Sequence, residues 1–313
     1  MKQKLSGSSF GLRVWMAIIA VAFLGAAVVP PAQAAGKLAR ARQAGKLVLG
    51  YRTDTQPFSY RDQSGNAAGY SVELCKRIAE AVKAEPGVST LSVEWVPVTT
   101  EGRFRDMQQG RVDLLCEADS VTLTRRQKAS YSIPVFPGGI GVMVRADSSH
   151  RLRQVLTNGV DVGARLLWRA SPAEFLVQQT FSAVAGTTAE SWLHERRETL
   201  NIPARIVPVD TYDAGVEQLL ARKSDVYFGE RTILQKVAAR SPAARDLIVL
   251  DRLYTHEPLA LALARDDDEF RLVVDRTLSR LFASAEFPVL YAKWFGEPSG
   301  STLEFFRRNA LPE

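Results

Sequence analysis

The sequence predicts an α/β protein of two lobes, preceded by a removable N-terminal segment. Three observations predict it. Short apolar runs suited to strands alternate with stretches of helical apolar spacing between residues 46 and 144. A second strand–helix series runs from 181 to 250. The first 34 residues follow neither pattern. The length of 313 residues accommodates two medium domains, and an apolar fraction of 46% with 24% charged residues is that of a chain able to bury a core.

At the N-terminus, Lys2, Lys4 and Arg13 precede an almost wholly apolar run over 14–29. Pro30 and Pro31 end the run, and Ala32-Gln33-Ala34 places small residues where a signal peptidase reads them. This predicts a secretory signal over 1–34, cleaved before Ala35. A retained membrane anchor is the alternative, but the run is short for a bilayer span. Removing the segment lowers the formal charge from +6 to +3. That mild balance, without a basic tract interleaved with aromatics, argues against a nucleic-acid partner. The mature chain keeps Cys75 and Cys116. An oxidising compartment permits a disulfide between them, and two buried free thiols remain the alternative.

Residues 35–44 are short, Ala/Arg-rich and expected to be a loose lead-in. A strand over 46–51 follows, then a loop with Pro57 and a hairpin over 59–70 that turns at Gly65-Asn66. Over 72–82, Val72, Cys75, Ala79 and Val82 share one helical face, Glu73 and Arg77 pair on the other, and Pro86-Gly87 stops the helix. A strand over 91–98 and a short helix over 103–109 lead to the stretch 113–137, DLLCEADSVTLTRRQKASYSIPVFP. Its apolar start suits a buried strand. The hydroxyls of Ser120, Thr122 and Thr124 and a pair of arginines, Arg125 and Arg126, follow at the carboxyl end, where open α/β sheets bind ligands. A guanidinium there matches a carboxylate two-on-two, although a polar surface turn reads the same way.

The second series has strands at 181–184, 206–209, 226–228 and 247–250, with helices at 189–200, 212–221 and 232–239. A strand over 259–264 follows. Asp266 to Asp268 then cap a long amphipathic helix, where negative charge suits the dipole. A last helix holds Tyr291, Trp294 and Phe295, and 296–313 is expected to be a peripheral tail.

Six segments, in this order, resemble a known family: GKLVLGYRTDTQPFSY, GYSVELCKRIAEAV, GRVDLLCEADSVTLTRRQKASYS, AGTTAE, SDVYFGERTIL and KWFG. The chain resembles the amino-acid-binding members of the bacterial extracellular solute-binding proteins, family 3, which serve ABC importers. The resemblance implies a two-lobed periplasmic-binding-protein type II fold with two crossover strands and a ligand cleft between the lobes. Lobe 1 would comprise 45–142 and 258–295, and lobe 2 would comprise 143–257, with crossovers near Val142 and His256 and an insert near 152–172. It implies a periplasmic monomer that binds an amino acid, hands it to an inner-membrane ABC permease, performs no chemistry and needs no cofactor or metal.

The resemblance also assigns residues. An Arg six positions before the aromatic of an "FS" pair, here Tyr131-Ser132, selects Arg125 over Arg126 as the grip on the α-carboxylate. Ser120 and Thr122 line the same corner. The turn of Gly186, Thr187 and Thr188 offers amides at a helix N-terminus. Glu230, five residues after Asp225, takes the α-ammonium, although importers of the family carry Asp there. Phe58 walls the cleft. Arg52 matches an Arg that reads a side-chain carboxylate in glutamate/aspartate binders, with a surface Arg as its other reading. Exported dehydratases acting on prephenate or arogenate share the fold, and Glu230 would be the acid in such an enzyme. A ligand-sensing input protein is a third reading. His150, His194 and His256 are scattered, and neither a P-loop nor a dinucleotide fingerprint is present.

Overall fold

The computed structural model describes residues 36–88, 90–158 and 172–313. The expected signal segment and most of the expected insert lie outside them. The chain begins with α1 (Lys37–Ala44), β1 (Lys46–Tyr51), β2 (Asp54–Thr55), β3 (Ser59–Arg61), β4 (Ala67–Ala68) and α2 (Tyr70–Lys83). β5 (Ser92–Pro97), α3 (Arg103–Gln108), β6 (Leu114–Ser120), α4 (Leu123–Arg126), β7 (Ser130–Tyr131) and β8 (Phe136–Gly138) complete the first run. The second lobe holds β9 (Ile140–Arg145), α5 (His150–Asn158), α6 (Pro172–Val177), β10 (Thr180–Val184), α7 (Thr188–Thr199) and β11 (Arg205–Val209). It continues through α8 (Tyr212–Leu220), β12 (Val226–Glu230), α9 (Arg231–Arg240) and β13 (Leu247–Val249). The chain then returns in β14 (Glu257–Leu263), α10 (Asp268–Ala283), α11 (Glu286–Phe295) and α12 (Gly300–Asn309).

Two main sheets result. Lobe 1 has the order β5-β1-β6-β14-β7, with β8 also on β14; lobe 2 has β11-β10-β12-β9-β13. Within each, three strands are parallel, as helical crossovers require, and the strands that pass between lobes are antiparallel to them. The expected two-lobed α/β fold is the one observed. The expected crossover near Val142 shifts, because Val142 lies inside β9, which pairs wholly with lobe 2, so the chain changes sheet at Gly139.

At that point the two crossover segments touch. A Cβ on Gly139 would sit 2.1 Å from the Thr255 carbonyl oxygen, so only glycine permits the approach. The Ile140 amide donates to Thr255 Oγ1 at 3.0 Å, Tyr254 N donates to the Ile140 carbonyl at 2.8 Å, and Leu250 N donates to the Val142 carbonyl at 3.0 Å.

Two expectations at the ends are corrected. Residues 37–44 are the helix α1, with Leu38 and Ala41 buried against lobe 1. The Lys37 amide donates to Asp267 Oδ2 at 2.7 Å, which ties α1 to the cap of α10. The tail is a helix as well. Phe306 of α12 is fully buried among Phe282, Phe287 and Tyr291, with ring centroids 4.4–5.8 Å away. Burying that ring offsets the entropy of ordering the terminus.

The cysteine alternative resolves to a disulfide. Cys75 of α2 and Cys116 of β6 are joined, with Cα atoms 6.0 Å apart and a sequence separation of 41. A cross-link closing a loop of that length stabilises by about 4 kcal/mol in the chain-entropy account. The Cys75→Ala, Cys116→Ala double variant is therefore expected to unfold at lower urea with a loss of about that size; an unchanged midpoint would show that the cross-link adds nothing to stability.

Candidate functional site

β6 lies between β1 and β14 and ends in the cleft. Its first residues are buried and apolar, but it closes with Glu117, Ala118, Asp119 and Ser120. These four line a cavity of about 50 Å³ between the lobes. Arg52, Thr55, Phe58, Thr100, Arg103 and Arg125 complete the lobe 1 wall. Lobe 2 supplies Thr187, Thr188 and Ala189 at the start of α7, Tyr212 at the start of α8, and Glu230 and Ile233 at the start of α9. Three helix N-termini thus face the cavity, each with its positive dipole end.

Arg125 sits on the one-turn helix α4. The Thr122 hydroxyl accepts from the Arg125 amide at 3.1 Å as the N-cap. The Arg125 guanidinium donates to Asp119 Oδ1 at 3.3 Å and to the Ser120 carbonyl at 3.1 Å. It also crosses the cleft to the Gly186 carbonyl at 3.3 Å. Arg126 is exposed. Behind Arg125, the buried Arg103 grips the Asp119 carboxylate through Nε and Nη2, at 3.2 and 2.8 Å, and lies 3.0 Å from Glu117 Oε1. Arg52 donates to Asp54 Oδ1 at 2.7 Å and lies 3.7 Å from Glu117 Oε2. It is 6% exposed, which removes the surface reading of this residue. Phe58 is buried and packs edge-on to Phe136 at 4.9 Å, so the apolar wall is rigidly backed.

In lobe 2, Thr187 caps α7, accepting from Glu190 N at 3.4 Å, and its hydroxyl donates to the Val184 carbonyl. The Gly186 amide donates to Glu190 Oε2 at 2.8 Å, so one of the amides expected to face a ligand is held by this chain's own carboxylate. Thr188 Oγ1 lies 3.4 Å from Ser120 Oγ across the cleft and donates to Glu257 Oε2 at 2.9 Å. Glu257 Oε1 in turn accepts from Thr255 Oγ1 at 2.8 Å, linking the site to the crossover. Glu230 caps α9 and accepts from Ile233 N at 2.9 Å.

The electrostatics follow from burial. Desolvation, followed by repulsion from Asp119, pushes Glu117 up to about 7 against the pull of Arg103 and Arg52. Asp119 faces the same desolvation, yet Arg103 and Arg125 together hold it below the usual carboxylate range. Desolvation also pushes Glu230 up to about 7, although hydrogen bonds from Ile233 and Thr232 oppose it.

The structure therefore brings Arg125, Ser120, Thr187, Thr188, Glu230, Phe58 and Arg52 to one cavity. Thr122 lies behind Arg125 rather than on the cavity wall, and Gly186 contributes its carbonyl to Arg125. Sequence reading did not single out Arg103, Glu117, Asp119, Thr100 or Tyr212. One signal was available: two acids two residues apart in an otherwise apolar strand must find buried partners. Among the described residues, no His/Cys/Asp/Glu group has the arrangement of a metal site, and no helix is long and apolar enough to cross a membrane.

Two α/β lobes joined by paired crossovers and closing on a charged cavity define a cleft-type binding protein. The chain belongs to the bacterial extracellular solute-binding proteins, family 3, whose model matches residues 47–297. It is similar to the glutamate/aspartate import solute-binding protein of Salmonella typhimurium, with 24% identity over 254 residues, covering 81% of this chain and 78% of that protein. It is also similar to the general L-amino acid-binding periplasmic protein AapJ of Rhizobium johnstonii, with 28% identity over 301 residues, 93% of this chain and 76% of that one. Among solved structures, the ancestral amino acid-binding protein AncCDT-1, a precursor of cyclohexadienyl dehydratase, shares the fold. It superimposes with a TM-score of 0.66 at 23% identity, covering 83% of this chain and 100% of that one.

Holding Glu230 ionised in the ligand-free cleft costs stability. Its folded-state value lies above that of an exposed glutamate, so stability falls as pH rises from the ordinary glutamate range through about 7, and the full cost is present above that. Glu230→Gln is expected to raise the stability of the ligand-free protein at about pH 8 by about 1–2 kcal/mol. An equal or lower melting temperature would mean that Glu230 is already well solvated or paired.

Proposed function

We propose that the protein captures an amino acid in this cleft outside the cytoplasm and hands it to an ABC permease. The observation that carries this reading is the facing of Arg125 in lobe 1 and Glu230 in lobe 2 across one small cavity. A zwitterion needs such a pair. The ligand's α-carboxylate takes the guanidinium of Arg125 with the hydroxyls of Ser120 and Thr188, and its α-ammonium takes Glu230. Because the two charges sit on different lobes, the full set of contacts exists only when the lobes are together, and ligand then favours the closed form. The permease would read that closed surface. Export through the N-terminal segment agrees with the disulfide and with the periplasmic location in the name of the Rhizobium relative. The protein acts as a monomer and performs no chemistry in this reading.

One observation favours a second reading. A partly buried carboxylic acid with a value near 7 suits a general acid, and AncCDT-1 is described as a dehydratase precursor. A thermal-shift screen of the mature protein against the twenty amino acids, prephenate and arogenate separates the two. Stabilisation by amino acids without turnover supports the binding protein; turnover of prephenate or arogenate selects the enzyme.

Arg125→Ala is expected to weaken amino-acid binding by about a hundredfold or more, as loss of one partner of a buried charge pair costs about 3–5 kcal/mol. The fold should survive, since Asp119 keeps Arg103. Calorimetry giving near-normal affinity would remove Arg125 from the site. The affinity should also depend on pH with a defined sign. The ammonium needs ionised Glu230, so a proton must leave when ligand binds below about pH 7. Affinity is then expected to fall about tenfold per unit as pH drops from about 7 to about 5. A flat profile in calorimetric titrations would count against Glu230 as the ammonium partner.

A further inference from the structure

The ion pairs on the cleft floor bear on which amino acids the site accepts. Three guanidiniums line the cavity, and each has a carboxylate of this chain beside it. Arg52 holds Asp54 at 2.7 Å. Arg103 holds Asp119 at 2.8 Å. Arg125 is the most weakly matched, sharing Asp119 at 3.3 Å with Arg103, and it is the one that the ligand's α-carboxylate takes. Glu117 is an additional acid wedged between the first two, 3.7 Å from Arg52 and 3.0 Å from Arg103. Once Arg125 is engaged, the cavity holds no guanidinium lacking a counter-ion among the described residues. A carboxylate on the ligand's side chain would have to displace an internal one or lie beside Glu117.

A cationic side chain fares no better, because Glu117 is flanked by two arginines. What the floor does offer is hydrogen bonding. Thr100 Oγ1 is a fully buried side-chain atom without a hydrogen-bond partner among the described residues, and Thr100 lines the cavity. An unpartnered group of this kind carries a desolvation cost, and a ligand that bonds it recovers that cost on binding.

Resting on the amino-acid-binding reading above, we propose that the cleft selects amino acids with an uncharged, hydrogen-bonding side chain, a hydroxyl or carboxamide. Glu117 is the residue that excludes acidic ones. Here Arg52 is structural, neutralised by Asp54 and Glu117, rather than a reader of a ligand carboxylate.

The test compares near-isosteres. Calorimetry at about pH 8 measures asparagine against aspartate and glutamine against glutamate, with serine, lysine and leucine alongside. At least one amide or hydroxyl amino acid is expected to bind tenfold or more tightly than either acid. Glu117→Gln is expected to improve the acid-to-amide ratio by tenfold or more, because it leaves Arg52 and Arg103 short of a counter-charge. The wild-type ratio stands as a test even where that variant does not fold. An acid that binds as tightly as its amide, a preference for lysine, or binding confined to leucine would overturn the selectivity while leaving amino-acid capture intact. Absence of binding by all twenty amino acids would overturn both.

Discussion

The Asp119 carboxylate accepts from Arg103 on one side and from Arg125 on the other, and the cleft is arranged around that sharing. An isolated charge buried at the end of β6 would be expensive, and two guanidiniums offset the cost. In return the strand acquires a fixed orienting group. Arg103 is buried in the lobe 1 wall and paired with Glu117 and Asp119, and Asp119 in turn accepts from Arg125. The Arg125 guanidinium is therefore oriented by this chain's own groups, which in the proposed role would limit the ordering cost of capture. Because Asp119 Oδ1 is 3.3 Å from Arg125, against 2.8 Å from Arg103, the outer guanidinium is the looser of the two.

The two lobes contribute unlike chemistry for a reason of topology. Lobe 1 presents a strand end with side-chain charges, whereas lobe 2 presents helix starts, at Thr187, Thr211 and Glu230. Helix starts supply oriented amides and capping side chains at low cost. Much of that supply is already used inside the lobe. Glu190 holds the Gly186 amide, and Thr187 caps α7. Side chains left facing lobe 1 include Thr188, Tyr212 and Glu230; Glu230 also serves inward, through the Ile233 amide, while Thr188 donates to Glu257 at the start of β14.

Much of this was legible in the sequence. The strand–helix alternation over 46–144 and 181–250 reports the two sheets because burial on both faces forces it. The hydroxyl–arginine run after β6 was visible because polar groups at a buried strand's end have few structural uses. Arg103, Glu117 and Asp119 were not legible as a unit. Their partnership depends on α3 packing beside β6, a contact of tertiary structure that residue spacing does not encode. Tyr212 was hidden for the same reason, as the first residue of an ordinary helix. The terminal helices were not legible because α1 and α12 are short and bury few residues. A helix with only one to three buried positions leaves almost no periodic signal, yet Leu38 and Phe306 are each almost fully buried.

The contact between the crossover segments bears on how the lobes can move. A single-chain linker would leave each lobe three rotational freedoms, to be removed when ligand closes the cleft. Here Gly139 lies against Thr255, hydrogen bonds from Leu250, Tyr254 and Ile140 stitch the two segments together on the lobe 2 side of that point, and the β8–β14 pairing does so on the lobe 1 side. Twisting and sideways sliding would break those bonds, so bending about the crossing remains the soft coordinate. The Thr188–Glu257–Thr255 chain ends at the same place, so the turn before α7 is fastened close to the axis. Closure then resembles a lever with one degree of freedom, and little of the ligand's binding energy is lost to restraining the rest.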